Sequence, residues 1–193
     1  MYKFLLNPFE NYSEKKLFVF GTLFLFIGSY IGFLCNAYFD SLLHITFLHK
    51  TTFIPILIQN TIIVLLLTFF LFTIGKITNK KTRLIDVLNV SLIARIPIYL
   101  TTVININNAT TKITDKLIIN ITNLENLPLS ITEYLLLLVI AVLSLISIIW
   151  FAYLLWNGFK TATNAKSNKP VILLILSLLI ANYISNLLIH YIL

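Results

Sequence analysis

Residues 131–156 read ITEYLLLLVIAVLSLISIIWFAYLLW, and this stretch decides the class of fold. Glu133 is its one charged residue. A helix needs about 20 consecutive apolar residues to cross a hydrocarbon core of roughly 30 Å, so this run is long enough to span a membrane. The whole chain of 193 residues has the same character, since 59% are hydrophobic and only 11% are charged. A water-soluble domain carries about 25% charged residues, so the sequence predicts an integral membrane protein.

Four other stretches are long and apolar enough to be membrane spans. The five predicted spans cover about residues 17–39, 53–75, 84–104, 131–156 and 170–193. The third is the most polar, because it carries Asp86, Asn89, Arg95 and Pro97. Charged side chains within a membrane face the protein interior rather than lipid, so we expect this span to lie inside the bundle. The sequence therefore predicts an all-α, polytopic transmembrane helical bundle of five spans, forming a single membrane domain over residues 17–193.

The first 16 residues form a predicted interfacial leader. The apolar run that follows them is longer than the 7–15 residues typical of a cleaved signal peptide, so we expect it to be retained as the first span. Residues 7–10 read Asn-Pro-Phe-Glu, with an Asn cap, Pro at the first helical position and Glu three residues after the cap. This pattern predicts a short helix at the cytoplasmic membrane surface.

The basic residues are distributed unevenly between the two predicted faces of the membrane. Ten of the 14 fall on the face that holds the N-terminus: Lys3, Lys15, Lys16, Lys76, Lys80, Lys81, Arg83, Lys160, Lys166 and Lys169. The opposite face has Lys50, Lys112 and Lys116. The face richer in Lys and Arg is normally cytoplasmic, so the N-terminus is predicted inside and the C-terminus outside. Anionic headgroups of the bilayer are sufficient partners for the net charge of +7, and no nucleic acid is expected.

The sequence lacks the common motifs for catalysis and cofactor binding. The five glycines form neither a phosphate-binding loop nor a Gly-x-Ser-x-Gly elbow. His44 and His49 have no third ligand near them in sequence, whereas a zinc site needs three or four. We therefore expect a non-enzymatic protein without metal or cofactor. In the long loop after the third span, apolar residues recur at helical spacing and predict a short amphipathic helix; they are Ile113, Leu117, Ile121 and Leu124.

Small residues follow one face of the first span. Gly28 and Gly32 form a Gly-x-x-x-Gly pair, with Gly21 a heptad earlier and Asn36 one turn later. Such faces let helix backbones approach closely. This candidate helix-packing face predicts either packing within the bundle or a seam between two copies of the chain.

A candidate intramembrane polar cluster is formed by Arg95 and three residues of the fifth span. Asn182, Asn186 and His190 are spaced by four and share one side of a helix. They predict either polar contacts between helices or a path for protons or ions. Arg95 precedes Pro97 and is predicted either as a structural charge with buried hydrogen-bond acceptors, as a charge that extends outward to the membrane surface, or as a contact for an anion or substrate. Asp86 is expected to pair with Arg83.

Three stretches together resemble the Yip domain family of five-span membrane proteins, and more closely its short bacterial branch. They are the leader at 7–10, the third-span core SLIARIP at 91–97, and WFAYLLWNGFK at 150–160, which is followed by a small basic loop and a last C-terminal span. The resemblance covers essentially the whole chain and rests on hydropathy with a few Pro, Trp and Gly positions. It implies a five-span fold with a cytoplasmic N-terminus, in the bacterial cytoplasmic (inner) membrane.

The sequence is compatible with three classes of function. Eukaryotic Yip members interact with Ypt/Rab GTPases and carry an Asp-Leu-Tyr-Gly-Pro motif, which has no counterpart in residues 1–16. We therefore expect a membrane protein that organises or docks partners at the bilayer, either another membrane protein or a second copy. The alternative is a small transporter or channel subunit that uses the polar cluster. An intramembrane enzyme is the third and weakest alternative.

Overall fold

The computed structural model describes residues 6–120, 129–165 and 170–192. Within them the α-helices are α1 (Glu14–Leu34), α2 (Phe53–Thr78), α3 (Leu84–Ala94), α4 (Ile96–Thr101), α5 (Ala109–Ile119), α6 (Ile131–Thr163) and α7 (Pro170–Ile192). Two short strands, β1 (Ala37–Tyr38) and β2 (Thr46–Phe47), lie between α1 and α2, and 3₁₀ segments occupy Pro8–Glu10 and Thr102–Asn108. Five helical segments are long and apolar enough to cross a membrane, which confirms the predicted five-span helical bundle.

The third span is the most buried of the five, as its polar residues predicted. The sequence placed one span over 84–104, but the structure divides this segment at Arg95, where α3 ends and α4 begins. Pro97 explains the break, because it has no N–H to donate to the preceding turn and its ring clashes with the carbonyl four residues earlier. Arg95 therefore lies at a helix junction and not within a regular helix.

Helix α1, which forms the first span, has different bounds from the predicted 17–39. Helix α1 begins at Glu14, three residues before the predicted start, and it ends at Leu34, five residues before Phe39. Asn36 has a φ of 51°, in the left-handed region that Asn tolerates better than most residues. The chain reverses there and enters a hairpin, residues 36–50, in place of the last turn of helix.

Helix α6 has two halves with different surroundings. Ser130 and Glu133 form a capping box at its start, and its 33 residues extend for about 50 Å at 1.5 Å per residue. Its buried positions, such as Phe151 and Phe159, lie in the half nearer the C-terminal end, against the third span and the leader. The other half leaves most of its leucines and isoleucines exposed, as expected for a lipid-facing helix.

The two predicted accessory helices have different outcomes. Helix α5 confirms the amphipathic helix after the third span, with Ile113 buried at 2% exposure, while Ile121 and Leu124 lie outside the described residues. In the part of the leader that the structure describes, from residue 6 on, a three-residue 3₁₀ turn forms at Pro8–Glu10, and Phe9 rests against Gly158 of α6.

Candidate functional site

The hairpin of residues 36–50 enters the bundle from the end of the membrane domain opposite the leader. Its two arms pair through β1 and β2, with Ala37 opposite Phe47 and Tyr38 opposite Thr46. Beyond β1 the first arm is buried, since Phe39 and Leu42 are 0% and 1% exposed, whereas Leu43 and His44 are exposed. The first arm of the hairpin therefore belongs to the protein interior.

The depth of the tip follows from the residues that it touches on α7. Leu43 N donates to Asn182 Oδ1, and Asn182 lies ten residues before Ile192, the last residue of that helix. At 1.5 Å per residue, this places the tip about 15 Å below the helix end. Half a bilayer core is about 15 Å thick, so a non-helical backbone reaches toward the level of the membrane interior.

Helix α7 supplies the polar partners of the tip. Leu42 N donates to Ser185 Oγ at 3.1 Å, and Leu43 N donates to Asn182 Oδ1 at 3.1 Å. Asn186 Nδ2 donates to the carbonyl oxygen of Asp40 at 3.5 Å. Non-helical backbone at membrane depth is tolerated only where protein or water satisfies its polar groups. The predicted polar row of the fifth span thus holds a loop, and not a neighbouring helix.

Arg95 completes the contacts of the tip from the third span. Its side chain is 0% exposed, and Nη1 donates to the carbonyl oxygen of Leu42 at 2.9 Å. Nη2 donates to Asn60 Oδ1 at 3.1 Å. From the same helix as Asn60, Gln59 Oε1 accepts from Phe39 N at 3.0 Å. We call the five side chains that bind the tip backbone the hairpin clamp: Gln59, Arg95, Asn182, Ser185 and Asn186.

The Arg95 guanidinium is compensated by dipoles and aromatic rings. Its Cζ lies 5.8 Å from the ring centre of Phe39 and 5.3 Å from that of Tyr99, distances at which a cation is attracted to a π face. Among the described residues it forms no ion pair with a carboxylate. Its Nε also has no hydrogen-bond partner in this part of the chain. The guanidinium is therefore held by its hydrogen bonds to the hairpin carbonyl oxygen and to the side-chain oxygen of Asn60.

A polar turn closes the tip of the hairpin. The Asp40 carboxylate accepts from His44 Nδ1 at 2.8 Å and from Thr46 Oγ1 at 2.7 Å. The Asp40 side chain is 9% exposed, whereas that of His44 is 69% exposed. His44 therefore presents its other ring nitrogen outward. In the described ranges, no group of three or more His, Cys, Asp or Glu side chains lies close enough together to bind a metal ion.

The glycine face of α1 lies against this chain's own third span and hairpin. A Cβ built on Gly28 would be 2.5 Å from Tyr99 Cδ2, and one on Gly21 would be 2.7 Å from Leu92 Cβ. A Cβ on Gly32 would lie 2.9 Å from Phe39 Cε2. These approaches are shorter than ordinary van der Waals contact. The absence of side chains on this face is what lets Tyr99 and Phe39 reach their positions beside Arg95.

Asn36 does not extend the glycine face, contrary to its predicted place there. It lies beyond the end of α1 and joins the base of the hairpin to the loop before α5. Its Oδ1 accepts from Thr51 N at 3.1 Å, and its Nδ2 donates to Asn108 Oδ1 at 3.0 Å. The correction follows from the early end of α1, which removes the helical periodicity that the prediction used.

His190 stands apart from the rest of the predicted polar cluster. It is exposed near the end of α7 and forms no hydrogen bond with the described residues. The clamp instead includes Ser185 and Gln59, which sequence reasoning missed. Ser185 lies three residues after Asn182 on the same helix face, so the polar row already contained an indication of it. Gln59 had no comparable signal, because its partner is a backbone amide of the hairpin.

These contacts define the protein as a multi-pass helical membrane protein with a buried, side-chain-held hairpin. Comparison with known proteins finds no matching family model, no matching curated protein and no matching solved structure. The resemblance to the Yip domain family therefore stays a prediction. The expected pairing at the start of the third span is confirmed, since Arg83 Nε donates to Asp86 Oδ2 at 2.9 Å.

Proposed function

We propose that the chain is a non-enzymatic integral membrane protein that organises or docks partners at the bilayer. The observation that carries this proposal is the set of partners to which the clamp side chains hydrogen-bond. Arg95, Asn182 and Ser185 all bind the backbone of the chain's own hairpin. The buried polar groups are thus used within the chain itself. The exposed charged end of the bundle is then the surface that a partner can contact.

That surface, which we call the basic face, comprises residues 6–16, 79–83 and 158–165. Two contacts join its parts, one between Arg83 Nη2 and Glu14 Oε2 at 2.6 Å, and the other between Asn79 Nδ2 and the carbonyl oxygen of Thr163 at 2.9 Å. The lysines on or next to it are exposed: Lys15, Lys16, Lys76, Lys80, Lys81 and Lys160. Basic clusters beside membrane spans attract anionic lipids and acidic partners. We place this face in the cytoplasm and the protein in a bacterial inner membrane.

The likeness to the Yip domain family supports the docking proposal. We do not include GTPase binding in the proposal, because the Asp-Leu-Tyr-Gly-Pro motif of the eukaryotic members has no counterpart in residues 1–16. The proposed partner is accordingly another membrane protein or a second copy of the chain, approached along the basic face.

Site-specific photocrosslinking in cells tests the docking proposal. A photoreactive residue at Lys81 or Lys160 samples the basic face, and the same residue at Lys112 samples the opposite end. We expect a discrete protein adduct from the first two positions and none from the control. Adducts of equal yield from both ends, or none from the basic face, would overturn the proposal. Arg95 binds the hairpin and does not belong to the basic face. A folded Arg95→Lys variant is therefore expected to crosslink as the wild type does.

Transport by a small carrier or channel subunit is the second candidate function. It is favoured by the broken third span, because transporters often build solute sites at broken helices and non-helical backbone. A cavity of about 480 Å³ also borders the hairpin tip, lined by Leu43, His44, Thr101 and Ser144 among others. A solute that stabilises the purified wild type, but not a folded Arg95→Lys variant, would favour transport over docking. Flux of that solute into vesicles is the decisive measurement.

A further inference from the structure

The cavity of about 480 Å³ beside the hairpin has a wall with an apolar part and a polar part. It lies at the end of the membrane domain opposite the basic face, and we call it the hairpin cavity. The apolar part of the wall includes Phe47, Ile98, Ile104, Ile140 and Ile148. The polar part consists of the His44 ring and of five hydroxyl groups, which belong to Thr46, Thr101, Thr110, Thr114 and Ser144.

Four of the five hydroxyl groups already donate their hydrogen to the protein. Thr46 Oγ1 donates to the Asp40 carboxylate at 2.7 Å. The other three donate to backbone carbonyl oxygens at distances of 2.7 to 3.1 Å, and they are Thr101, Thr110 and Thr114. A hydroxyl group has one hydrogen and two lone pairs, so each of these four offers a ligand only an acceptor.

His44 offers a further acceptor. Its Nδ1 lies 2.8 Å from both oxygens of the Asp40 carboxylate. An ionised carboxylate only accepts hydrogen bonds, so the hydrogen of the uncharged ring is on Nδ1 and the lone pair is on Nε2. The His44 side chain is 69% exposed and lines the cavity, so a ligand there can reach this nitrogen.

A buried negative charge lies behind the polar part of the wall. The Asp40 side chain is 9% exposed, and the two side chains that donate to it both line the cavity. None of the described residues in the wall is Lys, Arg, Asp or Glu. On α5, Lys112 is two residues from each cavity threonine, which places it on the opposite side of the helix. Lys116 is paired with Glu133 at 2.6 Å. The wall therefore combines acceptors with a negative charge that no cation in it balances.

We propose that the hairpin cavity binds an amphipathic primary ammonium, that is, a small organic cation with an apolar body. Its three N–H groups can donate to His44 Nε2 and to the threonine oxygens, and the Asp40 carboxylate attracts its charge. Its apolar body packs against Phe47 and the isoleucines of the wall. An anion would bring further acceptors to a wall of acceptors. This site is distant from the basic face, so the docking proposal and this one can fail independently.

The test measures the binding of 2-phenylethylammonium to the full chain in a non-ionic detergent by titration calorimetry. A pH of about 8.5 leaves a free imidazole uncharged and an alkylammonium charged. Three compounds with a similar body serve as comparisons. 2-Phenylethanol has a donor but no charge, the trimethylated ammonium has a charge but no N–H, and 3-phenylpropanoate is an anion. We expect the primary ammonium to bind about tenfold more tightly than the first two, and the anion not to bind.

Two matched pairs of variants locate the site. His44→Phe keeps a flat ring without the acceptor, and its control His49→Phe changes an exposed histidine that does not line the cavity. Thr101→Val and Thr102→Val each remove a hydroxyl that donates to the carbonyl oxygen three residues earlier, and of the two Thr101 lines the cavity. Binding should weaken about tenfold in His44→Phe and about three- to tenfold in Thr101→Val, and it should be unchanged in both controls.

Several results would overturn the proposal. Equal affinity for the primary ammonium and either the alcohol or the trimethylated ammonium would do so, as would the absence of saturable binding to the folded wild type. Unchanged affinity in folded His44→Phe and Thr101→Val would also contradict it. If His44→Phe fails to fold, the threonine pair decides alone, because Thr101→Val preserves the shape of the side chain.

Discussion

Replacing Ser185 by Ala removes the hydroxyl that receives the hairpin tip. In the structure Ser185 Oγ accepts from Leu42 N at 3.1 Å, and Leu42 is 1% exposed. Without that oxygen a buried N–H is left unpaired whenever the hairpin is docked, at a cost of about 1–3 kcal/mol. Hydrogen bonds measured inside membrane proteins average about 0.6 and reach about 1.7 kcal/mol, so we expect the lower part of the range, about 1 to 1.7 kcal/mol.

Helix α7 provides a matched control at Ser177. Ser177 is also buried, and its hydroxyl donates to the carbonyl oxygen of Leu174 at 2.7 Å, just as that of Ser185 donates to the carbonyl oxygen of Asn182 at 2.9 Å. Both substitutions therefore remove one bond within the helix and the same volume. They differ in the bond to the hairpin, so the difference between their effects isolates that bond.

Hydrogen exchange followed by mass spectrometry measures the effect where it arises. The loss of 1 to 1.7 kcal/mol should raise the population of the undocked hairpin about five- to twentyfold, and exchange in peptides covering residues 36–50 should accelerate by that factor. Ser177→Ala should leave the same peptides unchanged. Equal acceleration in the two variants, or none in Ser185→Ala, would refute the reasoning that side chains of α7 hold the hairpin.

Three further outcomes are expected. Arg95→Leu leaves two buried oxygens without a donor and should lower the free energy of unfolding in detergent by about 2–6 kcal/mol, with a smaller loss in Arg95→Lys; equal stability of all three proteins would contradict the clamp. Gly28→Ala puts a methyl group 2.5 Å from Tyr99 Cδ2 and should cost about 1–3 kcal/mol, whereas the lipid-facing change Ile27→Val should cost less. A C-terminal fusion to a phosphatase that is active only outside should be active, and an inactive fusion would reverse the predicted orientation.

The number of spans could be predicted from the sequence because hydropathy is a local property. Each span needs only its own run of apolar residues, and no information about its neighbours. The interior position of the third span was also predictable, since Asp86 and Arg95 are too polar to face lipid. The spacing of the glycines of α1 is also a local property, so they could be recognised as a packing face. The residues that pack against them could not be named from the sequence.

The hairpin could not be predicted, because its stability comes from contacts that are distant in sequence. Residues 36–50 contain too few residues for a span and no strong turn motif. Leu42 binds Arg95 and Ser185, which are 53 and 143 residues away in the sequence, so these contacts exist only in the tertiary fold. Hydropathy also favours continuing α1 through Cys35 to Phe39, and only the left-handed turn at Asn36 stops it. A row of polar residues on α7 shows that something polar is bound there, but not that it is a backbone.

The break in the third span and the buried hairpin depend on one another. Pro97 ends the regular helix beside Arg95, which lies where its guanidinium reaches the carbonyl oxygen of Leu42. Tyr99 follows on the short α4 and contacts Phe39 of the hairpin, with ring centres 6.0 Å apart, in the space that Gly28 leaves open. A hairpin outside the bundle would leave the Arg95 charge without the carbonyl oxygen of Leu42. The polar residues that suggest a transport path therefore also bind the chain's own hairpin, and an effect on function has to be measured in variants that retain the fold.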